Sequence, residues 1–183
     1  MNYAEIKTND IANGLGVRVS LFVSGCTHHC HNCFNEIAWD FTYGKKFDED
    51  TQNYLLDLLE PVHIKGLSLL GGEPMEITNQ RGLYPFIKKV KEKYPEKDIW
   101  CYSGYTLEEL LDENSSRCHC EITYELLSLF DILIDGKFIE EKKNISLAFR
   151  GSENQRIIDI KKTFQEGKIV ELDLDRKTGK SKE

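Results

Sequence analysis

No apolar run in the 183 residues approaches the length that a bilayer crossing needs. Basic residues are outnumbered, 24 Lys and Arg against 31 Asp and Glu. The resulting formal net charge of −7 argues against a general grip on nucleic acid, which wants a basic face. Nothing in the opening residues reads as a secretory signal, and there is no internal repeat and no low-complexity linker. These absences set aside a membrane protein, a nucleic-acid binder and a repeat array, and the expectation is a cytoplasmic protein. What remains is an ordinary globular mix, 40% hydrophobic and 30% charged. It reads as one domain over residues 1–174, followed by a charged, leucine-free tail over 175–183.

Cysteine is scarce but concentrated. Three of the six cysteines, Cys26, Cys30 and Cys33, fall in a C-x3-C-x2-C loop. Three thiols cannot all pair as disulfides, and a reducing cytosol keeps thiols free. Thiolate is a soft ligand suited to iron–sulfur clusters and zinc. The count is informative because closed structural sites, and iron–sulfur cubes, normally take four protein ligands. Three thiolates leave one metal position open for an outside ligand. The bland alternative is zinc, with His28, His29 or His31 as fourth ligand.

Hydrophobic patterning predicts alternating strands and helices. Val17 to Val23 alternates apolar with Arg18 and Ser20 and reads as a strand that delivers the chain to the cysteine loop. Residues 1–16 read as a lead with turns at Asn13-Gly14 and Gly16, and residues 36–47 as loop or short helix. Asp48 to Glu60 reads as a helix capped by Asp48 or Asp50 and ended by Pro61. A strand follows over Ile64 to Leu70, a helix over Leu83 to Tyr94 stopped by Pro95, and a strand over Ile99 to Tyr102. Thr106 to Glu109 is a capping box opening a third helix. A helix over Tyr124 to Phe130 and a strand over Asp131 to Asp135 come next. Ile157 to Asp173, with a turn-like Gln165-Glu166-Gly167-Lys168, reads as a C-terminal β-hairpin.

Such alternation predicts an α/β fold with a mostly parallel sheet, whose ligands gather at the carboxyl ends of the strands. The cysteine loop, Gly71-Gly72-Glu73, Ser103-Gly104 and Asp135-Gly136 each follow a predicted strand. The architecture expected is an open, partial (β/α) barrel. Glycine permits close backbone approach to a charged ligand, and the Glu73 carboxylate suits an ammonium group. Ser103, at a strand end, reads either as a ligand contact or as a satisfied turn hydroxyl. Cys118-His119-Cys120 reads as loop thiols, and Cys101 as a small buried hydrophobe.

The C-x3-C-x2-C loop after a short apolar strand resembles the radical S-adenosylmethionine (SAM) enzymes. The aromatic residue often found before the last cysteine there is Asn32 here, and Phe34 follows Cys33. The Cys33-Phe34-Asn35 order is similar to the activating proteins of anaerobic (class III) ribonucleoside-triphosphate reductase. Asn13-Gly14 and the segments Ile99 to Tyr105, Asp131 to Phe138 and Phe149 to Arg156 resemble the same family. The resemblance implies the radical-SAM partial barrel, with a [4Fe–4S] cluster on Cys26, Cys30 and Cys33 and SAM chelating the open iron. It implies SAM contacts from Asn32, Cys33, Phe34, Gly71, Gly72 and Glu73, with Ser103 as the candidate at the ribose. The implied chemistry is one-electron cleavage of SAM to methionine and a 5′-deoxyadenosyl radical, which takes hydrogen from a glycine of the reductase large subunit. The implied electron donor is a small protein such as flavodoxin. Arg150 to Arg156 reads either as a polar cap on the sheet edge or as a dock for the partner or a cofactor carboxylate. Rival readings are activation of another glycyl-radical enzyme of the pyruvate formate-lyase type and a non-catalytic zinc or iron–sulfur module.

Overall fold

The computed structural model describes residues 1–33 and 35–175. One mixed sheet of seven strands carries the molecule. In chain order these are β1 (Asn2–Asp10), β2 (Val17–Val23), β3 (Lys45–Lys46), β4 (Ile64–Gly71), β5 (Asp98–Tyr102), β6 (Ile132–Asp135) and β7 (Arg156–Asp159). Their spatial order is β3-β1-β2-β4-β5-β6-β7. The four central strands β2, β4, β5 and β6 run parallel, β1 and β7 flank them antiparallel, and β3 pairs antiparallel with β1. The sheet stays open, with β3 and β7 as its edges.

Strand periodicity sorts the side chains onto two faces. On one face Val19, Leu21, Val23, Leu67, Leu69, Ile99, Cys101, Leu133 and Ile158 join a single apolar core. The α-helices among the described residues are α1 (Glu49–Leu59), α2 (Ile77–Lys93), α3 (Leu107–Leu111), α4 (Thr123–Leu129) and α5 (Ile160–Glu166), and short 3₁₀ helices stand at Glu36–Trp39 and Glu140–Lys142. Helix α2 buries Leu83, Phe86, Ile87 and Val90 at i, i+3, i+4 and i+7, each worth about 1.5–3 kcal/mol. The opposite face is more polar and holds Arg18, Ser20, Ser68, Trp100 and Tyr102. Arg18 is fully buried there, donating to Ser68 Oγ at 2.7 Å and Leu67 O at 2.9 Å, and paired with Asp98 at 2.5 Å. Its guanidinium lies 5.2 Å from the Trp100 ring centre. Ser68 Oγ donates to Asn13 O at 2.6 Å, which draws the β1–β2 turn against this face.

Local chemistry explains the element ends. The Asp48 side chain accepts from Thr51 N and starts α1. The Thr106–Glu109 capping box starts α3.

Three expectations need correction. Residues 2–10 form strand β1 rather than a lead, because pairing with β2 satisfies a polar backbone that has no hydrophobic alternation to announce it. Helix α2 starts at Ile77, well before Leu83, and runs through Pro85. Pro85 lies on the exposed side, where water can satisfy the carbonyl left without its N–H partner. The terminal hairpin over Ile157 to Asp173 is replaced by β7, helix α5 and a single antiparallel bridge from Ile158 to Glu171. The Asp159 side chain caps α5, and Gly167 ends it in the left-handed conformation at φ 66°. Of the expected charged tail, residues 176–183 lie outside the described residues. Asp175 accepts from Ala148 N at 2.8 Å and pairs with Arg150. Among the described residues, no helix is long and apolar enough to cross a membrane.

Candidate functional site

The carboxyl ends of the parallel strands share one edge. A cleft of about 500 Å³ opens there. Cys26, Cys30, Asn32, Cys33, Gly71, Gly72, Glu73 and Ser103 all line it, so residues from three separate strand ends come together. Phe34 lies outside the described residues.

The cysteine loop leaves β2 through Gly25, whose φ of 97° favours glycine. Its N–H donates to Ala38 O at 2.8 Å, and Cys26 N donates to Trp39 O at 3.2 Å. His29 (φ 48°) and Asn32 (φ 55°) take left-handed turns that curl the loop, and Cys33 N closes on Cys30 O at 3.2 Å. Behind the loop, Glu73 N donates to Gly25 O at 2.8 Å. The buried Asn79 amide donates to Ser24 O at 3.0 Å and Glu73 O at 2.9 Å. A carboxylate that sequence reasoning missed, Glu76, accepts from Thr27 N at 2.7 Å and Thr27 Oγ1 at 2.6 Å. Its signal was a second glutamate three residues after Glu73, facing the same loop.

Glu73 is 1% exposed and fully engaged. Oε2 accepts from Gly104 N at 2.6 Å and stands 3.0 Å from His28 Nε2, while Oε1 accepts from Met75 N at 2.8 Å. Glu73 thus ties the Gly-Gly segment to the β5 end and to the cysteine loop. Ser103 Oγ accepts from Tyr105 N at 3.1 Å, as a turn hydroxyl does, and still faces the cleft. Gly72 is packed too closely for a side chain. A Cβ there would lie 2.6 Å from Gly25 O and 2.9 Å from Ala38 O.

All six cysteines are free thiols. Burial pushes the Cys26 thiol up to about 12 and also raises Cys30, against which the Lys137 charge works. A metal centre must therefore displace those protons. The loop offers a backbone partner to sulfur, since Asn35 N donates to Cys33 Sγ at 3.4 Å. Among the described residues no three His, Cys, Asp or Glu side chains stand close enough to hold one shared ion. A [4Fe–4S] cube does not ask for that, because each thiolate binds its own iron. His28 is committed to Glu73 and packs against Tyr105 at 4.2 Å, while His29 stacks on Trp39 at 4.5 Å. Trp39 Nε1, Tyr102 Oη and Arg150 Nε are buried without a hydrogen-bond partner among the described residues, and all three residues line the cleft. Three soft donors at the rim and spare polar atoms in the wall fit a cluster together with a polar organic ligand.

The remaining cysteines stand apart from this cleft. Cys118 is buried and its Sγ donates to Glu109 O at 3.3 Å, Cys120 Sγ lies 3.6 Å from Gln80 Oε1, and Cys101 belongs to the core. The Phe149 to Arg156 segment splits its duties. Arg150 donates to Gln155 O at 3.1 Å, pairs with Asp175 and lines the cleft. Arg156 instead bridges the buried Asp135 and Glu108 on the outer side.

Residues 12–158 match the family model described as a 4Fe-4S single cluster domain. With the three-thiol cleft, this defines a single-cluster iron–sulfur protein built on an open α/β sheet. The chain is 45% identical over 159 residues to the anaerobic ribonucleoside-triphosphate reductase-activating protein of Pasteurella multocida, covering 86% of this chain and 96% of that protein. It is 40% identical over 159 residues to the protein of the same name from Vibrio cholerae, covering 86% and 97%. The protein of that name from Escherichia coli is 36% identical over 157 residues, covering 85% and 96%. The chain belongs to the anaerobic ribonucleoside-triphosphate reductase-activating protein family.

Proposed function

We propose that this chain is a radical SAM activase that generates the glycyl radical of the anaerobic ribonucleoside-triphosphate reductase. The observation that carries the reading is the convergence of Cys26, Cys30 and Cys33 with Gly71, Gly72 and Glu73 on one cleft at the strand ends. Family membership supplies the partner. We read the open sheet as a partial barrel whose inner face is the one carrying Tyr102 and Trp100.

In this reading the three cysteines hold the cluster, and the Gly71–Glu73 segment, Asn32, Cys33, Phe34 and Ser103 receive SAM. When bound, cluster and SAM together supply a 5′-deoxyadenosyl radical that removes hydrogen from a glycine α-carbon of the partner. The chain's own residues orient and enclose. Glu73 holds the Gly104 backbone and His28 together on one oxygen, so the cysteine loop and the β5 end keep a constant spacing along one wall of the cleft. Glu76 and Asn79 pin the loop from behind. Tyr102 and Phe149, the latter backed by Trp100, give the wall an aromatic lining that keeps water away from a reactive centre. The cleft stays open on the side of Ile145, which is 95% exposed, leaving room for a loop of another protein. We take the reaction to run in the cytoplasm, where thiols stay reduced, with a small carrier such as flavodoxin as electron source.

The test is anaerobic reconstitution with iron and sulfide, reduction, addition of SAM and the reductase large subunit, and electron paramagnetic resonance. A glycyl-radical doublet together with 5′-deoxyadenosine is expected. An intact cluster that yields neither product would overturn the reading.

A further inference from the structure

We propose that a second cleft, on the far side of the cysteine loop, is the docking surface for an acidic one-electron carrier protein. The inference rests on the activase reading and deepens it by locating where the electron enters.

Reduction requires an approach to the cluster loop that the substrate cleft does not offer, since that cleft must hold SAM and the partner's glycine. A second cleft of about 400 Å³ lies against the same loop and shares His28 and Gly104 with the first as a dividing wall. Thr27, Tyr105, Arg117 and Lys137 form the rest of its working surface. Both cations grip the two residues that follow Cys26. Arg117 Nη2 donates to Thr27 Oγ1 at 3.3 Å, and Lys137 Nζ donates to His28 O at 2.9 Å. Both residues are exposed.

Neither cation forms a salt bridge among the described residues. The one carboxylate in the lining, Glu109, is turned to the Thr106 backbone N–H at 2.7 Å in the α3 capping box. Two cations outside any salt bridge thus stand together beside the redox loop of a chain whose net charge is −7. Such a patch steers an acidic partner and speeds encounter more than it tightens binding. His28 and Tyr105, with ring centres 4.2 Å apart and planes tilted by 53°, give the patch an aromatic floor. In the step itself one electron leaves the carrier, whose flavin or iron–sulfur group is oxidised by one unit. The same electron is taken up at the chain's cluster, and no bond is made or broken.

The experiment uses the cluster-loaded chain and its Lys137→Glu/Arg117→Glu variant. The carrier is a fully reduced acidic flavodoxin, and cluster bleaching is followed by stopped-flow absorbance. Photoreduced deazaflavin serves as a small reductant without a protein surface. The expected result is a second-order rate lower by about tenfold for the variant at low salt, with the gap closing at about 1 M salt. The deazaflavin rate should be unchanged, and Lys137→Arg/Arg117→Lys should restore carrier reduction. A weaker affinity of the cluster-free variant for apo-flavodoxin should accompany this. Equal loss with both reductants would overturn the proposal, showing that the cations only hold the loop. Normal carrier reduction with impaired reductase binding would also overturn it, assigning the patch to the reductase. Failure of the wild-type chain to cleave SAM, with rapid and salt-sensitive carrier reduction, would count against the activase reading and leave the docking surface supported.

Discussion

Replacing Glu73 by glutamine isolates the group that spans the site. The carboxylate accepts from Met75 N on one oxygen and from Gly104 N on the other, with His28 Nε2 beside the second. A glutamine keeps a single carbonyl oxygen. Turned either way, its NH₂ faces a backbone N–H, at Met75 or at Gly104. At least one charge-assisted hydrogen bond is lost, worth about 1.5–3 kcal/mol, and the one that remains is to a neutral acceptor and weaker. The expected loss is ~3 kcal/mol. In a chain of 183 residues this lowers the thermal midpoint of the cluster-free protein by about 6–12 °C. Gly104 and His28 both line the substrate cleft, so the same change should weaken SAM binding by about tenfold or more, a 1.4 kcal/mol effect. Iron content should stay near that of the parent. Circular dichroism melting and calorimetric titration of SAM into the reconstituted protein read the two effects separately. A midpoint within about 2 °C of the parent, with unchanged SAM affinity, would refute the spanning role drawn from these hydrogen bonds.

Cys26→Ala, Cys30→Ala and Cys33→Ala should each abolish cluster-dependent SAM cleavage, read as 5′-deoxyadenosine by chromatography. Cys118→Ser should retain a full cluster by iron analysis and visible absorbance, since its thiol bonds to Glu109 O away from the cleft. Gly72→Ala should cost about 1–3 kcal/mol by urea unfolding and lower iron incorporation, because its Cβ would press on Gly25 O and Ala38 O. Hydrogen bonds from Arg156 hold Glu108 below its ordinary carboxylate value, and those from Arg150 do the same for Asp175. Stability from both pairs is therefore complete above the unfolded values, near about 4, and is lost as pH falls through the lower folded values. Urea midpoints should be flat from neutral pH to about 5 and fall below that, with a shallower acid limb for Glu108→Gln.

Much of this was legible from sequence because the parallel strands are short, apolar and followed by turn glycines. Val17 to Val23 and Ile64 to Leu70 announce themselves by composition, and the glycines and cysteines at their ends mark the functional edge. Strand β1 is hidden because its residues are polar and half exposed, so only pairing with β2 makes it a strand. The start of α2 is masked by Asn79, Gly82 and Pro85, all poor helix signals. Asn79 and Gln80 are buried there because their amides satisfy loop carbonyls, an arrangement visible only in three dimensions. Over Ile157 to Asp173 two β-branched runs suggested paired strands. The Asp159 cap, the spacing of Ile160, Thr163 and Phe164, and Gly167 at the end were helix signals in the same stretch. At the site, Glu73 was legible by type but not by partner. Its hydrogen bonds from Gly104 N and Met75 N, and the neighbouring His28, join residues distant in sequence and show only in the fold. Glu76 carried too little local pattern to be singled out.

Electron–nuclear double resonance of the reduced, reconstituted chain with SAM labelled by ¹⁷O at the methionine carboxylate and ¹⁵N at its amino group addresses the open iron position directly. Hyperfine coupling of both labels to the cluster is the predicted outcome, with only Cys26, Cys30 and Cys33 required for cluster retention. A cluster that shows no coupling to either label, and instead couples to a histidine nitrogen of the chain, would contradict the account.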